Sequence, residues 1–170
     1  MQRLILFRHA KAERTAVSGD DFDRALSERG KRDARLMGHV LAQRGLVPTA
    51  AWVSPALRTR ETWAEAETAF GAVEAQFPDD LYHATADLMR RLIEADEGRD
   101  GTVMVVGHTP GLHQLAVELL VEGAASASAI THMRSRFPTA TAVAFEFDAA
   151  GRPSFDGIYL AADHGGGGGE

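Results

Sequence analysis

Short, almost wholly apolar runs alternate along this chain with segments whose apolar residues recur every three or four positions. Leu4–Phe7, Ala50–Val53 and Thr102–Val106 have the pattern of strands buried on both faces. A weaker run lies near Val73–Phe77. Between the first two, Ala34, Met37 and Leu41 form one face of a helix that Ser27 caps and Gly45 ends, with Glu28 favourably placed in its first turn. Leu88, Leu92 and Ala95 predict a helix from Thr85 to about Glu97. Further helices are predicted from about Pro55 to Ala69, where proline suits a first turn, and from Leu112 to about Leu120.

Polar residues 10–26 predict a surface loop, and the Gly/Ala/Ser-rich stretch after Leu120 predicts another, with Arg134-Ser135-Arg136 as solvated positions. Val143, Phe145 and Phe147 alternate with smaller or polar residues in Thr141–Phe147. A turn at Asp148–Gly151 returns the chain as Ser154–Tyr159, which makes a hairpin. Strands alternating with helices imply a three-layer α/β/α sandwich on a mainly parallel sheet. Its single domain covers residues 1–160. The five consecutive glycines of Gly165–Gly169 predict a disordered tail over 161–170.

Composition narrows the functions. At 170 residues the length suits one domain with a real core. Eighteen basic against 24 acidic residues give a net charge of −6, which argues against a nucleic-acid partner. Cysteine is absent, so disulfides and thiolate chemistry are excluded. No apolar run reaches the roughly 18–20 residues that would cross a bilayer, and the N-terminus has no signal-peptide pattern. The expectation is a cytoplasmic monomer with no membrane partner. Lys11 and Lys31 are the only lysines, which leaves 16 of the 18 basic residues as arginine. Arginine grips phosphate with a planar fork, but base composition could produce the same bias.

Position decides what composition leaves open. In open α/β sheets ligands bind at the carboxyl ends of strands. Three predicted strands end in Arg8-His9, in Ser54-Pro55-Ala56-Leu57-Arg58 and in Gly107-His108. Two arginines and two histidines would then meet on one rim. Like charge should lower the histidine pKa values and keep one imidazole neutral and nucleophilic. An anion held by guanidinium groups and attacked by an imidazole describes phosphoryl transfer through a phosphohistidine.

These segments carry a resemblance. Arg8-His9-Ala10, Ser54-Pro55-x-x-Arg58-x-x-x-Thr62 and Gly107-His108-Thr109-Pro110-Gly111 resemble the three signatures of the histidine phosphatase (phosphoglycerate mutase-like) superfamily. Asp23–Gly30 and Leu81-Tyr82 are similar to its SixA-type phosphohistidine phosphatase branch. The likeness spans roughly residues 1–160. It implies that His9 accepts the phosphoryl group, that Arg8 and Arg58 bind its oxygens, and that His108 stabilises the transition state with Thr109 close by. Arg24 matches a substrate-side arginine, yet reads equally well as an ion-pair partner of Asp20, Asp21 or Asp23. Ser54 and Thr62 would hold the Arg58 segment in place. Neither a metal nor a cofactor is implied.

One departure from the family pattern bears on substrate. Many members place a general-acid Glu after the third strand, where this chain reads Pro78-Asp79-Asp80-Leu81-Tyr82-His83. Alkoxide leaving groups need a proton, whereas the imidazole of a phosphohistidine departs more readily. A phosphorylated protein, such as a phosphotransfer domain or phosphocarrier, is therefore the expected partner. A small phosphate ester is the alternative substrate, with Asp79, Asp80, Asp20, Asp21 or Glu13 as acid. An inactive phosphate-binding module is the non-enzymatic alternative. His39, His83, His113, His132 and His164 show no metal-binding spacing, and Trp52, Trp63 and Phe70 read as packing residues.

Overall fold

The computed structural model describes residues 1–95 and 100–167. Strands β1 (Arg3–Arg8), β2 (Ala50–Val53), β3 (Glu74–Gln76), β4 (Thr102–Gly107), β5 (Ala142–Phe147) and β6 (Pro153–Tyr159) form one sheet in the order β3-β2-β4-β1-β5-β6. The first four are mutually parallel, while β5 runs antiparallel to β1 and β6 antiparallel to β5. The helices are α1 (Glu28–Gln43), α2 (Leu57–Glu67), α3 (Ala86–Ala95), α4 (Gly111–Glu122) and α5 (Ala127–Ser135). The predicted end of α3 at Glu97 falls outside the described residues.

Alternation along the strands sorts the core into two layers. Leu4, Leu6, Val103, Val105, Val143 and Phe145 pack with α3, α4 and α5. Ile5, Phe7, Met104, Val106, Ala142 and Ala144 pack with α1 and α2. Each large side chain fully removed from water contributes about 1.5–3 kcal/mol, and Phe7 and Phe145 are both 0% exposed. The result is the expected three-layer sandwich. Among the described residues, no helix is long and apolar enough to cross a membrane.

Two segments depart from the sequence expectation. The stretch predicted as a loop after Leu120 contains α5, because Ser126 caps it by accepting from the Ala129 amide, and Met133, buried, and Ile130, partly buried, pack against the core. Alternating Ala and Ser conceal such a helix, since only Ile130 and Met133 mark its inner face. The tail expected from 161 onward is ordered through residue 167. Ala161–His164 makes a 3₁₀ turn with Ala161 buried, and the Gly167 amide donates to Asp33 Oδ1 at 3.0 Å. Asp33 is 4% exposed on α1 and needs such donors.

The order of the parallel strands positions the site. The chain runs outward from β1 through β2 to the edge at β3, then returns to insert β4 between β2 and β1. Helices α1 and α2 cover one face on the way out, and α3 covers the other on the way back. The carboxyl ends of β1, β2 and β4 are therefore neighbours at the point where the winding reverses.

Candidate active site

At those three strand ends lies a pocket of about 550 Å³. It brings together Arg8, His9, Arg24, Arg58, His108 and Thr109, all the residues that the sequence singled out for substrate. Lys11, Ala12, Asp21, His83 and Thr139 complete its wall. A second hollow of about 510 Å³, beside Met1, Ile93, Leu115 and Phe147, lies at the opposite end of the sheet and holds none of them.

His9 follows β1 and continues its pairing with β4, its amide donating to the Gly107 carbonyl at 3.1 Å. Its Nδ1 lies 2.8 Å from the Ala10 carbonyl oxygen. A carbonyl can only accept, so Nδ1 carries the proton and Nε2 keeps its lone pair. Burial, joined by the charges of Arg58, Arg8 and Arg24, lowers the His9 pKa to about 3 against the opposing pull of the Ala10 carbonyl. The imidazole is neutral at pH 7. The sequence expectation attributed this to like charge, whereas desolvation is the larger cause.

His108 is 7% exposed, and burial, with His9, Arg58 and His83 nearby, lowers its pKa to about 3 as well. Its ring centroid lies 5.3 Å from that of His9. Ser54 Oγ meets its Nε2 at 2.7 Å, so Ser54 fixes this imidazole, while its carbonyl accepts from the Thr59 hydroxyl at 2.8 Å beside Arg58. Thr62 holds the Arg58 segment: its hydroxyl donates to the Arg58 carbonyl and accepts from the Ala10 amide, tying α2 to the His9 loop.

Arg58, only 3% exposed, donates from Nη1 to the Asp21 carbonyl at 2.7 Å and from Nη2 to Asp21 Oδ2 at 3.0 Å. Arg8 Nη1 donates to the Phe137 carbonyl. Both guanidinium groups are thereby immobilised by protein acceptors. Three buried nitrogens on the three motifs, Arg8 Nε, Arg58 Nε and His108 Nδ1, have no hydrogen-bond partner among the described residues. Buried polar nitrogens left unpaired are costly.

The sequence offers Asp21 only among several carboxylates, and does not single out His83. Asp21 stands on a 3₁₀ turn (Asp21–Asp23) and accepts from Arg58, from Arg24 Nε at 2.8 Å and from the Tyr82 hydroxyl at 2.9 Å. Burial acts to raise its pKa, but Tyr82, Arg58 and Arg24 outweigh it and hold the carboxyl at about 2. Arg24 is thus at once the ion-pair partner of Asp21 and a pocket residue, which reconciles its two readings. Asp20, Asp79, Asp80 and Glu13 do not line the pocket. His83 does, with its ring 6.0 Å from His108 and 4.1 Å from Tyr82. His113, by contrast, packs between α4 and α5, with Nε2 2.6 Å from the Met133 carbonyl and its ring stacked on Phe137.

With this geometry in place, comparison with known proteins is informative. A model of the histidine phosphatase superfamily (branch 1) matches residues 4–85. The uncharacterized protein ML1117 of Mycobacterium leprae (strain TN) is 32% identical over 139 residues, which cover 78% of this chain and 81% of that protein. A crystal structure from Agrobacterium tumefaciens, provisionally assigned as phosphohistidine phosphatase SixA, is 28% identical with a TM-score of 0.82, covering 94% of this chain and 97% of that one. A Nakamurella multipartita protein with the same provisional assignment is also 28% identical, with a TM-score of 0.78 and coverage of 94% and 95%. The chain belongs to the histidine phosphatase superfamily, and within it resembles the SixA-type phosphohistidine phosphatases.

Proposed function

We propose that this phosphatase is a metal-independent phosphohydrolase that works through a covalent phosphohistidine on His9 and acts on phosphohistidine carried by another protein. The observation that carries this reading is a neutral His9 imidazole whose Nε2 keeps its lone pair, set in one pocket with Arg8, Arg24, Arg58 and His108. The phosphoryl group of the substrate would lie among them. His9 Nε2 attacks phosphorus, the substrate imidazole departs, and water then attacks the phosphoenzyme in line to release phosphate. Two fixed guanidinium groups neutralise the charge that other enzymes meet with a metal ion, through charge-assisted bonds about twice as strong as neutral ones.

The protein substrate is favoured by the mouth of the pocket. Asp21 and His83 at its rim have side chains 46% and 62% exposed, so a histidine projecting from a partner can reach His9. The names given to the Agrobacterium and Nakamurella proteins support the same substrate class. The test is kcat/KM for a phosphohistidine protein against a panel of sugar and nucleotide phosphates, with and without chelator. The phosphohistidine protein should be preferred, and chelator should change nothing. Preference for an ester would transfer the assignment to small-molecule phosphatases, and loss of activity with chelator would refute the metal-free mechanism.

A further inference from the structure

We propose that His83 is the proton-transferring catalytic residue of this site, donating to the leaving group when His9 is phosphorylated and accepting from water when the phosphoenzyme is hydrolysed. The assignment rests on the phosphoryl-transfer reading of His9. It answers the absence of a glutamate after the third strand, since His83 is the one member of the Pro78–His83 stretch that lines the pocket. The carboxylates available by sequence do not qualify. Asp21 is in the pocket, but three donors keep it ionised, and the others lie outside its wall.

The surroundings of His83 suit it to the task. Its Nε2 lies 3.9 Å from Asp21 Oδ2, close enough for charge pairing but too long for a hydrogen bond, so its proton is uncommitted. Asp21 faces the ring, and Arg58 and Arg24 are both paired with that carboxylate. The facing His108 is neutral, and Tyr82 spends its hydroxyl on Asp21. The His108 ring touches the surroundings of both His9 and His83, with centroids 5.3 Å and 6.0 Å away. Imidazole is also the side chain able to give and take a proton near neutral pH.

The chemistry balances in both halves. His9 Nε2 bonds to phosphorus, the bond from phosphorus to the substrate imidazole breaks, and its electron pair stays on the departing nitrogen. That nitrogen takes the proton of His83, so the substrate leaves as a neutral imidazole and His83 becomes neutral. A water molecule then bonds to phosphorus and passes a proton back to His83. The phosphorus–His9 bond breaks and returns its electron pair to Nε2. Enzyme and proton inventory are restored.

The test compares leaving groups that do and do not need a proton. His83 has a φ of +56°, a conformation that asparagine tolerates, so His83→Asn preserves the backbone. With the full-length protein, kcat/KM would be measured against pH for wild type and His83→Asn on a phosphohistidine peptide, phenyl phosphate and 2,4-dinitrophenyl phosphate. The variant should lose about 10²–10⁴-fold on phenyl phosphate, lose less on the phosphohistidine peptide, whose imidazole departs more readily, and keep the dinitrophenyl ester within about threefold. Equal losses on both esters, or no loss on either, would overturn the assignment while leaving His9 chemistry intact. A wild type inert towards all three would overturn the proposed function, and this assignment with it.

Discussion

The Arg58 guanidinium divides its donors. Nη1 and Nη2 hold Asp21, and Nε has no hydrogen-bond partner among the described residues. A lysine at 58 has one nitrogen and cannot orient itself on Asp21 and also meet an anion, so Arg58→Lys should lower kcat/KM by about 10²-fold or more through lost charge-assisted contact. A loss below about threefold would show that Arg58 does not bind the transferred group. The neutral histidines also tie stability to pH. His9 and His108 sit near 3 in the folded protein against about 6.5 unfolded, so between those values the unfolded chain binds more protons. Stability is therefore complete above about pH 6.5 and falls as pH drops towards 3, and Asp21 adds a loss below its ordinary range. Thermal melting across this window should show that decline, and His9→Asn should flatten it. A wild-type profile level from pH 6.5 to 4 would contradict the buried neutral state. Arg8, His9, Arg58 and His108 could be found from sequence because each follows a strand whose apolar run is easily read. Asp21 is reached only as one of several candidate loop carboxylates, and His83 is not singled out, since loops carry no periodicity that fixes where a side chain lies.

Close backbone contact between elements also holds this site. Helix α1 meets α2 at Gly38, where an added Cβ would fall 2.8 Å from Ala66 Cα, well inside van der Waals contact. Helix α2 carries Arg58, so the fit of the two helices also sets the guanidinium. Gly38→Ala should cost about 1–3 kcal/mol by overpacking despite the better helix propensity of alanine, measurable by denaturant unfolding. Unchanged stability would mean that α1 can shift freely away from α2. Most elements were legible in the sequence, and the reasons are physical. β1, β2 and β4 are buried on both faces and read as continuous apolar runs, and α1 shows its cap and its stop. β3 shrinks to Glu74–Gln76 because this edge strand buries little. Helix α5 hides because alanine serves helix and loop alike, and the ordering of Gly167 depends on a buried carboxylate 134 residues away.

For the whole molecule, net charge was a poor guide to ligand. A surface of charge −6 surrounds a pocket into which Arg8, Arg24 and Arg58 project, and the winding of the sheet, by seating β4 beside β1, is what concentrates them. The same topology sets His9 against the guanidinium groups. Everything proposed about mechanism depends on His9 becoming phosphorylated. The direct measurement is rapid-quench transfer from a ³²P-labelled phosphohistidine protein to the wild-type enzyme, followed by site mapping. The account predicts a transient, acid-labile and base-stable phosphoryl group on His9, formed and lost at the rate of turnover, and none on His9→Ala. Turnover by His9→Ala at the wild-type rate, or label on any other residue, would contradict it.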